Sequence, residues 1–252
     1  MPSFKVGVSL QPQHTSIADL RRAWREADEM GLDSIWVWDH FFPLMGDPEG
    51  PSFEAWSLMA AMAVDTSRAT VGVMVSAAIY RNPDLLALMA NTIDHLSGGR
   101  AMLGLGGGWF ERDFREYGYE FGSAGDRLRV LRTALERIEK RRPRLRPQPL
   151  GPLPIVIGGG GEKVTLRLAA QYADVWNGFG PAPTYRRKVA VLHRWCESVG
   201  RDPASIELSS NMRNLDGAEA MLEAGCRHII HSASHPYDLE PAHRLLEMGH
   251  QG

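Results

Sequence analysis

Strand-like and helix-like stretches alternate along the whole of this 252-residue chain, with no hairpin signal between any two strands. Strands are expected at 4–10, 34–38, 70–75, 101–105, 154–157, 174–176, 205–209 and 227–231. Helices are expected at 16–30, 53–64, 82–96, 126–139, 163–172, 184–199, 216–224 and 239–248. The first helix shows the pattern: Ser16 is placed to cap it, Leu20, Trp24, Ala27 and Met30 recur at helical spacing, and Gly31 stops it. Eight strand–helix units in succession predict an α/β fold, a (β/α)8 TIM barrel, with residues 1–252 as a single domain. An open doubly wound sheet of eight strands usually splits into domains at this length.

The composition excludes several classes. The chain is 44% hydrophobic and 23% charged with a net charge of −2, so neither disorder nor nucleic-acid binding is expected. The local basic run from Lys140 to Arg146 contains Pro143 and joins a helix to a strand, which suits a solvated connection. No signal-peptide layout and no membrane-length apolar run is present, so no membrane partner is expected. Cys196 and Cys226 form neither a metal-spacing motif nor a disulfide framework, which points to a reducing, cytoplasmic setting.

In a barrel of this kind the carboxyl ends of the strands form the active face. The second strand, Ser34 to Trp38, is a buried run that ends abruptly in Asp39 and His40. A charged pair there is costly unless it faces a pocket; the alternative is that Asp39 merely caps the next segment. Gln11, His14, Ser76, Asn177, Asn211 and His231 occupy other strand ends. Two glycine runs, Gly106 to Gly108 and Gly158 to Gly161, share the same face. Bare backbone N–H groups at a helix start suit an anion, and Lys163 and Thr165 add donors. Glycines also serve tight turns and close packing. No lysine stands at a strand end (Lys5, Lys140 and Lys188 lie elsewhere, Lys163 opens a helix), and no hydrolytic triad or metal spacing stands out, so metal ligands are not expected. A phosphate cradle with few convergent acids and bases suggests that a cofactor carries the chemistry.

Four separate motifs, Trp36 to Phe41, Leu96 to Arg100, Gly104 to Trp109 and Ile157 to Lys163, together resemble the luciferase-like monooxygenase superfamily. The branch is similar to the oxidoreductases that use the deazaflavin coenzyme F420. The resemblance runs from Phe4 to about Asp202, and Phe114 to Gly118 and Tyr172 to Gly178 extend it. It implies that Asp39 contacts the deazaflavin and that His40 lines the reacting face. It implies a bulge in the third strand with a non-proline cis peptide, matched here by Val73–Met74, with Ser76 beside the cofactor. Gly106, Gly107 and Gly108 would run along the coenzyme, and Gly158, Gly159, Gly160, Gly161 and Thr165 would take its phosphate.

Three departures bear on activity. Trp109 stands where sugar-phosphate dehydrogenases of the family carry an acid, which argues against glucose 6-phosphate. The segments 139–149 and 211–220 are short, so the barrel is expected to be compact with shortened loops. His40 is the expected catalytic acid or base because an imidazole titrates near neutrality. The expected function is hydride transfer between F420 and a small organic substrate. An FMN-dependent monooxygenase and a catalytically silent flavin-binding protein are the alternatives, and a cofactor-free phosphate-binding isomerase is a distant fourth. A homodimer is expected, as in many relatives, with apolar side chains near Trp56 and Trp109 as its face.

Overall fold

The computed structural model describes residues 3–250. Its elements run β1 (Lys5–Leu10), α1 (Ile17–Glu29), β2 (Ser34–Val37), α2 (Ala55–Asp65), β3 (Thr70–Val73), β4 (Ser76–Ala77), α3 (Pro83–Ser97), β5 (Ala101–Gly106), α4 (Glu111–Glu116) and α5 (Ala124–Arg141). They continue with β6 (Ile155–Gly158), α6 (Thr165–Tyr172), β7 (Val175–Gly178), α7 (Ala182–Val199), β8 (Glu207–Met212), α8 (Ala218–Glu223), β9 (His228–Ala233) and α9 (Glu240–His250). Side-chain caps fix several helix starts. Ser16 accepts from the Asp19 amide, Glu54 from Trp56 and Ser57, and Asn82 from Asp84 and Leu85.

Every strand pairing is parallel, and the order β3-β2-β1-β9-β8-β7-β6-β5-β4, with β3 also on β5, closes the sheet. The closed barrel expected from the alternation is therefore present, with eight staves. Side chains obey the period of two. Trp36, Met102, Val156, Val175 and Ile230 form an interior cluster, while their neighbours Ile35, Leu103, Ile157, Trp176 and Ile229 join the larger core under the helices.

The third stave departs from expectation. Val71 lies opposite Ala101 and Gly72 opposite Met102, so unbroken register would set Val75 opposite Leu105; Ser76 stands there instead. One extra residue is thus inserted as a bulge between β3 and β4. The non-proline cis bond is Met74–Val75, one bond beyond the expected Val73–Met74. A bulge is set by cross-strand register, which the run Thr70 to Val75 does not display by itself. The expected irregular stretch after Trp109 also contains the short α4, too brief to show a helical period.

The motif Leu96 to Arg100 works at the opposite, amino-end face. The Arg100 guanidinium donates to the carbonyls of Ser97, Ala69, Ala63 and Thr66, tying α2, α3 and the start of β5 together. Nearby, inside the barrel floor, Trp36 Nε1 donates to Ser34 Oγ, which bonds His228 Nε2, and His228 Nδ1 bonds Glu207 Oε1, each at 2.7 Å. Lys5 Nζ closes the chain at 2.6 Å from Glu207 Oε2.

Burial works to raise the Glu207 carboxyl, but His228 and Lys5 outweigh it and hold the group at about 2. The folded value lies below the reference 4.5, so this contribution, at most about 3 kcal/mol, is complete above that pH and lost as pH falls toward 2. Glu207→Gln is expected to flatten the acid limb of stability measured by denaturant unfolding across that window. An unchanged limb would show that the relay adds no pH-dependent stability.

Among the described residues no helix is long and apolar enough to cross a membrane.

Candidate active site

The carboxyl ends of β2 to β8 surround a cavity of about 580 Å³. At one end β2 delivers Asp39 and His40. Asp39 is 2% exposed, and Arg81 from the loop after β4 meets it at 2.5 and 3.2 Å while also bonding Glu54 at 2.6 Å. Burial pushes the Asp39 carboxyl up against the pull of Arg81. Burial would lower the Arg81 guanidinium, but Asp39 and Glu54 prevail and raise it. The carboxylate therefore meets the cavity already engaged by a cation.

His40 is held from behind. Its Nδ1 lies 2.7 Å from Oδ2 of Asp113 on α4, a side chain with no solvent exposure. The same carboxylate accepts from the amides of Phe41 and Phe42 at 3.0 and 3.2 Å and from the Tyr80 hydroxyl at 3.2 Å. Burial and the Asp113 charge push the Tyr80 hydroxyl far up, so it remains a donor. With an acceptor-only partner on Nδ1, the imidazole carries its proton there and presents Nε2 elsewhere. Trp38, Trp109 and Phe110 enclose the ring edge-on, with centroids 5.6 to 6.2 Å away.

Along the wall the bulge decides the sequence. A Cβ on Gly106 would lie 2.8 Å from Val75 Cγ2, and one on Gly158 would lie 3.0 Å from it. These two glycines make room for Val75 and, with Gly107, leave bare backbone facing the cavity. Val73 and Ser76 do not line the cavity. Val73 packs in the core under the helices, because it alternates with the inward Gly72 before the bulge begins, and the Ser76 hydroxyl is taken by Trp56 Nε1 at 2.7 Å. Met74, Gly106, Gly107, Gly108, Gly158, Gly159 and Thr165 do line it. Gly160 and Gly161 complete the turn just outside that wall, before α6.

Thr165 is 6% exposed, and its hydroxyl has no hydrogen-bond partner among the described residues. The turn's Glu162 is drawn off to Arg187 at 3.1 Å. Gln11, His14 and His231 surround a separate pocket of about 640 Å³ between β8, β9 and β1. There His14 Nε2 bonds the Met45 carbonyl, and burial lowers the His231 imidazole. Trp56 is 2% exposed and belongs to the core, since its indole is needed under Ser76; it is not part of a surface face, whereas Trp109 is 64% exposed at the cavity mouth.

Asp113, Arg81 and Tyr80 are the site residues that the sequence reading missed. Asp113 falls between the motif ending at Trp109 and the stretch beginning at Phe114, and that placement is the one signal that could have found it.

A model described as luciferase-like monooxygenase matches residues 2–250. An F420-dependent glucose-6-phosphate dehydrogenase of Amycolatopsis mediterranei is 33% identical over 138 residues, 54% of this chain and 41% of the relative. The match thus spans less than half the length of that curated relative. Among solved structures, an F420-dependent secondary alcohol dehydrogenase in complex with an F420-acetone adduct superposes with a TM-score of 0.81 at 17% identity, covering 98% of each chain. The oxygenating constituent of a Type II Baeyer-Villiger monooxygenase, from a plasmid of Pseudomonas putida and in complex with FMN, gives 0.62 at 18% identity over 82% of this chain and 67% of its own. At these identities the two structures share the fold.

Proposed function

We propose that this chain, which belongs to the luciferase-like monooxygenase family, is an oxidoreductase that transfers a hydride between coenzyme F420 and a small organic substrate. The observation that carries the reading is one cavity with a carboxylate-backed imidazole at one end and an unpartnered anion cradle at the other. The residues fit the coenzyme. The cradle leaves the hydroxyl of Thr165, a residue 6% exposed, free of any hydrogen bond to the described residues, and the bare backbone of Gly106, Gly107 and Gly158 leaves room for a ring beside Val75.

When bound, the deazaflavin supplies a two-electron donor or acceptor at carbon five of its ring. Everything else is the work of the chain. The glycine walls and Val75 would hold the ring. The Gly158–Gly161 turn and Thr165 would hold the phosphate, through the Gly160 and Gly161 amides, since the Gly159 N–H donates to the Asn177 carbonyl at 3.1 Å. His40 gives a proton to, or takes one from, the substrate oxygen at Nε2, while Asp113 keeps the other nitrogen protonated. Trp38, Trp109 and Phe110 keep water from the imidazole.

Trp109 supports an uncharged organic substrate over a sugar phosphate, since it offers an indole face and no carboxylate beside His40. Exposed Leu85, Leu88 and Leu96 recur on one face of α3, with Val64 exposed on α2, and support a homodimer through those helices. The buried free thiols of Cys196 and Cys226 support a cytoplasmic setting.

Catalysis is tested anaerobically. Protein with oxidised F420 is mixed with a panel of small secondary alcohols, and protein with reduced F420 with the matching ketones. Substrate-dependent change in the deazaflavin absorbance is expected. In a parallel aerobic assay with reduced FMN, substrate-dependent oxygen consumption, with no F420 turnover on any substrate, would move the protein to the flavin monooxygenases. Binding without turnover of either coenzyme would favour the silent alternative.

A further inference from the structure

We propose that Lys188, on α7, is the cation that clamps the coenzyme's phosphate over the Gly158–Gly161 turn; this rests on the F420 reading above. The lysine comes from a different strand–helix unit than the turn, yet its stem lies along it. A Cβ on Gly160 would collide with the Lys188 ammonium and lie 2.8 Å from its Cε. The ammonium stands 5.5 Å from the centroid of the Phe179 ring at the cavity rim. Among the described residues no carboxylate lies within 4.0 Å of it, although the next residue, Arg187, is paired. Glu162, the carboxylate within the turn, is the group that Arg187 holds.

Three kinds of donor therefore gather at one point of the chain, the Gly160–Gly161 segment, none of them with a protein acceptor among the described residues. They are the Lys188 ammonium, the Thr165 hydroxyl, which stands 2.8 Å from where a Gly161 Cβ would be, and the Gly160 and Gly161 amides. A ligand filling that point must accept from several directions and carry negative charge, which describes a phosphate. The amides and hydroxyl supply only dipoles. The phosphate loses water on entering a half-buried turn, and a full counter-charge is what offsets that loss.

The test is a binding titration of wild-type protein, Lys188→Ala and Lys188→Arg, followed by tryptophan fluorescence. The ligands are F420 and a matched pair, the deazaflavin riboside with and without a terminal phosphate. Lys188→Ala is expected to weaken F420 and the phosphorylated riboside by about 10- to 100-fold, as for a charge-assisted bond. Lys188→Arg should recover most of the loss, and the phosphate-free riboside should bind wild type and Lys188→Ala alike. Inorganic phosphate should compete with F420 on the wild type and less well on Lys188→Ala. Unchanged F420 affinity in Lys188→Ala, or an equal loss for both ribosides, would overturn the assignment while leaving the coenzyme reading intact. Wild-type protein that binds none of the three would sink that reading and the clamp with it.

Discussion

His40→Ala is expected to lose about 10²- to 10⁴-fold in turnover while F420 affinity stays within about threefold. The reason is positional. His40 lines the cavity from the end of β2, whereas the phosphate cradle follows β6, across the barrel from it. Asp113→Asn separates the imidazole's presence from its orientation. The amide keeps the carboxylate's shape but adds a donor among the His40, Phe41, Phe42 and Tyr80 donors, so at least one bond is lost. Turnover should fall about 10- to 100-fold, and F420 binding should hold. A purely structural role for Asp113 would lower stability and leave the turnover of the folded protein unchanged. Unchanged turnover in His40→Ala would remove His40 from the mechanism.

The second large effect concerns Arg81, which looks like a surface residue in the sequence. Arg81→Leu leaves the Asp39 carboxylate buried with no cation, a change expected to cost about 3–5 kcal/mol in urea unfolding at neutral pH. The pH dependence fixes the cause. Without Arg81, Asp39 takes up a proton on folding, so its folded pKa lies further above the reference 3.8. The variant should then be least impaired in acid and lose stability as pH rises through that raised value. Asp39→Asn combined with Arg81→Leu should recover much of the loss, because no buried charge remains. A single variant as stable as wild type at neutral pH would show that Asp39 needs no counter-charge.

Most of the barrel is legible in the sequence because its information is local. Strand–helix alternation, capping residues such as Ser16 and stops such as Gly31 each need only a few neighbouring residues. The bulge was expected but placed one bond early, since its position depends on which residue faces Leu105 across the sheet. The boundaries of β8 and β9 shift for a similar reason: the expected start at Ser205 is taken by a short turn, Pro203–Ser205, and pairing with neighbours carries the strands to Met212 and Ala233.

Of the site, Asp39, His40 and the glycine turns were visible because they interrupt buried runs. Their partners were not. Arg81 meets Asp39 from 42 residues away and Asp113 meets His40 from 73. Such pairings come from the closure of the barrel and leave no mark on local composition. Lys188 lies in the middle of α7, where its periodicity reads as an exposed helical lysine. The glycines hold a further lesson: Gly106 and Gly158 stand where a side chain would meet Val75, so a packing need and a cofactor slot produce the same residue.

The central claim is that the β2-to-β8 cavity is a deazaflavin site, and one titration tests it most directly. Purified protein is titrated with F420 and, separately, with FMN, following tryptophan emission, since Trp38 and Trp109 both enclose His40 at the cavity. Saturable quenching by F420 at concentrations well below those needed for FMN is the predicted result. Tighter binding of FMN, or no saturable response to either, would contradict it.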